Sequence, residues 1–454
     1  MKIVIVGAGE VGFHIARRLS LESKDVVVVD CNPDALQRLT DSIDVQTVSG
    51  SGSNPSILES AGIDDAEILL AVTDSDESNL VACLVADTLA PATKKLARLR
   101  GADFERYHDA FRNNAPHIDT VINPDREVVH TILQLMDAPG AVDVGDFAGG
   151  RIRFVGVHLD AESRLTGVKL ADLPDIIDGD RPLIAAIVRK DRLIVPRGDN
   201  HLHAGDLVYF ICEAGRLGEY LSIFGKPVVP VKRVMIVGGG RIGYRLARML
   251  EQQSLGCKLI EKQAERCEWL ADRLDRTVVL HGDGSDQGLL AEEGITEVDL
   301  VITLTSAEET NILTSLLAKR LGAKRAITRI DKFSYFPLVT AVGIEQVVSP
   351  RLSAINSILK HIRRGKVLSA ISIKGEDGEV MEAVALPTSD IVSRPLRKIA
   401  FPKGALLAGI IRGESIIIPS GESVVEPDDR IIIFATREAI SRVEKMLAVK
   451  LEYV

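Results

Sequence analysis

Three glycines in "VIVGAGEVG", Gly7, Gly9 and Gly12, follow an apolar run of strand length and precede apolar residues at helical spacing. In that context the order G-x-G-x-x-G suits a phosphate-bearing ligand. Gly7 permits a tight turn, Gly9 leaves room for a pyrophosphate, and Gly12 lets a helix approach a strand closely. The start of the helix then offers N–H groups and a partial positive charge to the phosphates. Asp30 ends "DVVVVD" 18 residues after Gly12 (30 − 12), a spacing that lets a carboxylate accept hydrogen bonds from a ribose. Such a carboxylate repels a 2′-phosphate, which favours NAD over NADP. A second set stands in "MIVGGGRIG", with Gly238, Gly240, Gly243 and, again 18 residues on (261 − 243), Glu261. Lys262 beside Glu261 weakens the same preference there, and Arg241 either neutralises a phosphate or is a surface residue.

Ligands of open α/β sheets lie beyond the C-terminal ends of the strands. That edge is expected to hold Gly50–Ser53 and Thr73–Asp74 in the first copy, and Gly282–Asp283 and Leu304–Thr305 in the second. Arg98 and Arg100 in "LARLR" and Arg329 in "ITRI" either reach phosphates or are exposed arginines at a strand end.

Hydride transfer further requires an acid or base near the nicotinamide and a pocket for a second substrate. His201 and His203 in "DNHLHAGD" are the only closely paired histidines, and they read as solvated loop residues without further metal ligands. There is no G-x-S-x-G, neither glycine turn ends in G-K-[ST], and the five cysteines are widely spaced with no C-x-x-C pair. A cytoplasmic protein with reduced thiols fits that cysteine usage.

The elements that must carry these residues are strands and helices in alternation. "KIVIVG", "DVVVVD", "DVQTVSG" and "AEILLAV" read as strands separated by helical patterns, the second helix opening at the proline of "PDALQRL". This order implies a parallel sheet with right-handed crossovers. "RVMIVG", "CKLIEK", "TVVLHG" and "VDLVITL" repeat it. Between the two copies, β-rich runs such as "LIAAIV", "RLIVP" and "DLVYFI" read as a small α+β module of roughly 80 residues.

Gly7 and Gly238 are separated by 231 residues (238 − 7), and so are Asp30 and Glu261 (261 − 30). "AVTDSDESN", ending at Asn79, matches "TLTSAEETN", ending at Asn311, and "VINP" at Val121–Pro124 matches "VVSP" at Val347–Pro350. "AAIVRKDRLIVPRG" likewise matches "AGIIRGESIIIPSG". The chain therefore reads as a tandem duplication A-B-A′-B′. Its segments are 1–124, a Rossmann-like nucleotide-binding lobe; 140–226, a small α+β lobe; 231–350, a second Rossmann-like lobe; and 366–450, a second small lobe. Helices after "VINPDREVV" and "VVSPRLSAI" either contact a partner or pack between lobes.

At 454 residues with 46% apolar and 26% charged residues, the chain suits a multidomain globular protein. Its net charge of −9 and the lack of a long Lys/Arg run argue against nucleic acid as a partner. The cluster His361, Arg363, Arg364, Lys366 reads as a solvated helix end. No run of eighteen apolar residues occurs, so no span of a membrane is expected, and Met1 runs directly into a strand.

In combination, "KIVIVGAGEVG", "VTDSDESNLVAC", "RVMIVGGGRIG" and "GDGSDQGLLAEEGI" resemble, over nearly the whole chain, the TrkA family of bacterial Trk potassium-uptake systems. Each half resembles an RCK unit, a regulator of K⁺ conductance with a Rossmann-like N-lobe and a small C-lobe. The resemblance implies a regulatory subunit and not an enzyme, peripheral on the cytoplasmic, inner face of the cell membrane, where it controls potassium flux through a membrane-embedded channel subunit. It implies NAD(H) as cofactor and ATP or ADP as gating ligands. Carried onto matching positions, the first site uses Gly7, Ala8, Gly9, Glu10, Val11, Asp30, Thr73, Asp74 and Arg98. The second uses Gly239, Gly240, Arg241, Ile242, Gly243, Glu261, Asp283, Leu304 and Thr305. One departure is that Gly282–Asp283 of the second copy reads Gly50–Ser51 in the first. We expect a homo-oligomer, dimer or tetramer, because two-fold pairing converts a small cleft movement into a larger displacement. The competing reading is an NAD-dependent oxidoreductase with a duplicated cofactor domain.

Overall fold

The computed structural model describes residues 1–177, 182–190, 192–363, 366–373 and 377–447. Arg364 of the basic cluster and residues 448–450 of the fourth segment lie outside the described residues. The described chain forms two compact units, residues 1–127 with 350–370, and residues 128–349 with 371 onward.

The first unit is built on a six-stranded parallel sheet. Its strands are β1 (Lys2–Val6), β2 (Asp25–Asp30), β3 (Gln46–Ser49), β4 (Ile68–Ala71), β5 (Lys94–Arg98) and β6 (Thr120–Ile122), in the order β3-β2-β1-β4-β5-β6. The central strands are buried almost from end to end, as expected where helices cover both faces of a sheet. Crossovers run through α1 (Glu10–Leu21), α2 (Pro33–Ser42), α3 (Pro55–Ser60) and α4 (Asp76–Leu89). Asn32 caps α2 by accepting the Asp34 N–H at 3.0 Å, and Pro33 opens the helix where its missing N–H costs nothing. Ser75 caps α4 through the Ser78 N–H.

Helix Pro350–Ile362 belongs by sequence to the second half but packs against α1 of this unit. Just past its end, Arg363 forms a buried ion pair with Glu22, which also receives the Arg18 Nε at 2.8 Å. All three side chains are sealed from solvent. The solvated helix end expected of the basic cluster is therefore corrected for Arg363: its guanidinium finds a carboxylate from the opposite end of the sequence and is buried with it. Burial by itself would raise the Glu22 carboxyl, but Arg363 and Arg18 outweigh it and hold Glu22 below the ordinary glutamate value.

The second unit repeats the parallel sheet with Arg233–Val237, Gly256–Glu261, Val278–His281, Leu300–Thr303, Arg325–Arg329 and Gln346–Val348 in the same spatial order. It also carries two antiparallel five-stranded sheets. One centres on Ile152–His158, Leu183–Arg189 and Leu207–Glu213, the other on Gly378–Val384, Ala405–Arg412 and Arg430–Thr436. Phe154, Tyr209, Val380 and Phe434 share one core between them. Glu382 is buried at this junction, where it accepts the Ala148 N–H at 3.1 Å and the Arg430 Nε at 2.6 Å. Within this unit the chain after Val128 docks on the second parallel sheet, with Arg325 Nη2 donating to the Leu135 carbonyl at 2.7 Å. Gln346 Nε2 donates to the Ala141 carbonyl at 3.1 Å. Among the described residues no helix is long and apolar enough to cross a membrane.

Candidate functional site

The first glycine turn leaves β1 at Gly7, which has φ +112°, a conformation only glycine adopts at ease. A Cβ there would meet the Thr73 amide at 3.0 Å. Gly12 sits so close beneath the turn that a Cβ would lie 1.8 Å from the Gly7 carbonyl oxygen. Gly9 is different in kind, because nothing lies within 4 Å of a Cβ placed there. The three glycines thus divide into one for the turn, one for helix packing and one that borders open space.

That space is a cleft of about 600 Å³ at the C-terminal edge of the sheet. Of the residues expected in the first site, Gly7, Gly9, Glu10, Val11, Asp30, Thr73, Asp74 and Arg98 line it, while Ala8 lies behind it, buried. Gly50, Ser51, Gly52 and Ser53 from the turn after β3 form the opposite side. The first amides of α1 have no acceptor within the helix, so their donors and the helix dipole are available to an anion.

Asp30 is engaged by the backbone on both of its oxygens. Its Oδ2 accepts the Ala8 N–H at 2.6 Å and its Oδ1 accepts the Asn32 N–H at 2.8 Å, so the same carboxylate braces the glycine turn and the start of α2. A carboxylate oxygen has two lone pairs, which leaves acceptor capacity for hydroxyl groups.

Arg98 is not an exposed arginine at a strand end. Its side chain is only 11% exposed, and Nη1 lies 3.4 Å from both the Val72 carbonyl and Asp74 Oδ1. Its Nε is buried without a hydrogen-bond partner among the described residues. Burial and the neighbouring Arg100 cation pull its pKa down, and an anion in the cleft would relieve both.

The loop between β4 and α4 is held by Asn79, which the sequence marks only as a repeated letter. The buried Asn79 accepts the Thr73 N–H at 2.9 Å and Oγ1 at 2.7 Å, and it donates to the Thr73 carbonyl at 3.1 Å and the Arg98 carbonyl at 2.8 Å. Asn311 repeats this set on Thr305 and Arg329. The match aligns Thr73 with Thr305, so Leu304 corresponds to Val72 and not to Thr73. The expected pairs Thr73–Asp74 and Leu304–Thr305 are therefore one place out of register with each other.

The second copy keeps the backbone and surrounds the turn with different, mutually paired charges. Gly238 has φ +108°, a Cβ on Gly243 would lie 2.0 Å from the Gly238 carbonyl oxygen, and Glu261 Oε2 accepts the Gly239 N–H at 2.8 Å. Gly240, Arg241, Ile242 and Gly243 form the cap and first turn of the following helix. Where Ala35 lines the first cleft, the second copy has Arg266, whose Nε donates to the Gly239 carbonyl at 2.8 Å and whose guanidinium lies 3.8 Å from the Trp269 ring centre. Lys262 pairs with Asp283 at 2.9 Å, where the first copy has Cys31 and Ser51. Hydrogen bonds from Ser285, and then Lys262, hold Asp283 well below the usual carboxylate range. Arg329 pairs with Asp331 at 2.7 Å, and the residue aligned with Asp331 in the first copy is Arg100. The cations of the second copy are thus engaged with the protein's own anions and carbonyls.

His201 and His203 are exposed, and among the described residues no group of three or more His, Cys, Asp or Glu is placed to share a metal ion. Burial pushes the thiols of Cys83, Cys212 and Cys257 up to about 12, which makes them poor nucleophiles.

Comparison with known proteins gives the same outline. The TrkA-N domain model matches residues 3–124 and 234–350, and the TrkA-C domain model matches 154–225 and 380–448. The Trk system potassium uptake protein TrkA of Azorhizobium caulinodans is 38% identical over 457 residues, spanning 100% of both chains. That of Halomonas elongata is also 38% identical over 457 residues, with the same coverage. Among solved structures, the GsuK RCK domain shares the fold at TM-score 0.60 and 19% identity, over 98% of this chain and 94% of its own. The GsuK channel bound to NAD does so at TM-score 0.60 and 18% identity, over 98% and 78%. With its two Rossmann-like lobes, its two antiparallel lobes and 38% identity over the full length to potassium-uptake proteins, the chain belongs to the TrkA family.

Proposed function

We propose that the chain is the nucleotide-responsive regulatory subunit of a Trk-type potassium transport system. It binds NAD(H), ATP or ADP and gates K⁺ flux through a membrane channel subunit, to which it docks on the cytoplasmic face as a homo-oligomer. The observation that carries the reading is the first cleft: a glycine turn bordering open space at a helix N-terminus, faced by Asp30 and by the buried, under-partnered Arg98. The binding of NAD by a channel of the same fold supports the choice of ligand. In this proposal residues 1–124 and 231–350 are the two nucleotide-binding lobes, and residues 140–226 and 366–450 the lobes that transmit their state.

The first site takes its contacts from Gly7–Val11, Asp30, Thr73–Asp74 and Arg98. At the second site, Gly239–Gly243, Glu261, Asp283 and Leu304–Thr305, a ligand competes with the contacts that Arg266 and Lys262 already make to Gly239 and Asp283, so in this proposal it is the weaker of the two. The test is potassium flux through the reconstituted channel complex, titrated with NADH, ATP and ADP, with NADH turnover followed in parallel. Nucleotide-dependent flux without turnover is the expected result. Turnover with an added small-molecule substrate, or flux indifferent to every nucleotide, would overturn the proposal.

A further inference from the structure

Arg351 is the second residue of helix Pro350–Ile362, yet it lines the first cleft. There it meets Glu10, the first residue of α1, which stands at the helix N-terminus where a phosphate chain would be received. Arg351 Nη1 lies 3.9 Å from Glu10 Oε2, and Arg38 Nη1 lies 3.4 Å from Glu10 Oε1. His14 Nε2 is also 3.9 Å from Oε2. These contacts are loose and partly open to solvent, with Arg351 36%, Glu10 41% and Arg38 51% exposed, so they exchange at little cost. Holding the helix in place does not require Arg351, because the sealed Arg363–Glu22 pair already fastens the other end of it.

We propose that Arg351 is a phosphate ligand of the first site that makes it select nucleotides with a terminal phosphate, ADP or ATP, over a pyrophosphate diester such as NAD(H). The inference rests on the reading of the first lobe as a nucleotide site. Glu10 repels any phosphate that reaches past the glycine turn, and Arg351 and Arg38 are the cations that offset it. A terminal phosphate carries more negative charge than a phosphodiester and presents free oxygens in the geometry that a guanidinium fork binds in pairs. It therefore draws Arg351 away from Glu10, whereas the pyrophosphate of a dinucleotide, capped by a second nucleoside, has one negative charge per phosphorus and no terminal phosphate to offer. A residue of the second half thereby senses which nucleotide occupies the first half.

The experiment uses the full chain carrying Gly240→Val, which projects a side chain into open space at the second turn and removes binding there. Trp269, the only tryptophan, contacts the second turn through Arg266, so its fluorescence reports separately on any remaining second-site ligand. ATP, ADP and NADH are titrated by calorimetry into this protein and into its R351Q, R351K and G9V derivatives. R351Q is expected to weaken ATP and ADP about tenfold, the size of one lost charge-assisted contact. NADH should change by less than about twofold. R351K should recover part of the ATP affinity, since it restores charge without the fork. Unchanged ATP affinity in R351Q, or an equal loss for ATP and NADH, would overturn the role of Arg351. If G9V also leaves every affinity unchanged, the first cleft is not a nucleotide site at all; if G9V abolishes binding while R351Q is silent, only the present inference fails.

Discussion

Gly12 and Gly7 are in backbone contact: a Cβ on Gly12 would lie 1.8 Å from the Gly7 carbonyl oxygen. Neither atom can swing aside as a side-chain tip would. Gly12→Ala is therefore expected to destabilise the protein by about 2–3 kcal/mol through overpacking. Gly9→Val should leave the melting temperature nearly unchanged and lose nucleotide binding at the first site, since its Cβ meets nothing within 4 Å. Thermal melts and calorimetric titrations of the two variants separate the structural glycine from the binding one. Equal stability losses in both would contradict the division.

Asp30 braces the glycine turn and the start of α2, and the proposed function also makes it the selector between dinucleotides. Asp30→Asn is expected to weaken NADH by about 1.5–3 kcal/mol, the range for hydrogen bonds to a charged group, and to narrow the preference for NADH over NADPH. Asp30→Ala should in addition lower stability, because the Ala8 and Asn32 amides lose their acceptor. Affinities for both dinucleotides in the two variants check this. An unaltered NADPH/NADH ratio in each would remove the carboxylate as selector.

Glu22 lies between two buried arginines, and Glu22→Gln leaves both without their counter-charge. The expected cost is about 3–5 kcal/mol, the range for breaking one side of a buried ion pair. Urea denaturation measures it directly. A cost below about 1 kcal/mol, the range of exposed pairs, would mean that water reaches the site.

His361 supplies a pH dependence. Burial, followed by the nearby Lys360 and Lys94 cations, lowers its pKa from 6.5 to about 4. In the window between these values the unfolded chain binds a proton that the folded chain refuses, so stability rises with pH across it and is lost as pH falls from about 6.5 to about 4. The contribution is at most about 3.5 kcal/mol, since each tenfold difference in proton affinity between the folded and unfolded chain is worth about 1.4 kcal/mol. His361→Gln should flatten the difference in denaturation free energy between about pH 7 and pH 4.5 relative to the native chain. Parallel pH profiles for the two proteins would place the titration elsewhere.

Asn79 shows how a residue can be conspicuous in a sequence and still unread. It closes a segment that recurs with Asn311, yet its work, four hydrogen bonds that join the Thr73 loop to the end of β5, depends on two segments meeting in space. The register slip between Thr73 and Leu304 differs in kind: the change of offset is already in the letters, since Asn79 and Asn311 are 232 residues apart (311 − 79) and Gly7 and Gly238 are 231 (238 − 7), and the matching hydrogen bonds place it on Thr73 and Thr305.

Whatever is local or periodic in this protein was legible from its letters. The alternation of apolar strands with helices dictates a parallel sheet, and the spacing of Gly7, Gly9 and Gly12 dictates a tight turn into a closely packed helix, because both follow from backbone geometry over fewer than about forty residues. Repetition of those signals exposed the duplication. How each cleft is lined depends instead on how distant segments meet. Arg266 in place of Ala35, Asp331 in place of Arg100, and Lys262 with Asp283 in place of Cys31 with Ser51 are single letters whose effect lies in the pairs they form. Arg351 reaches the first cleft from the second half of the chain, and Arg363 meets its buried carboxylate across 341 residues. Charge pairing and packing act through space over a few ångströms, and no spacing along the chain encodes that distance.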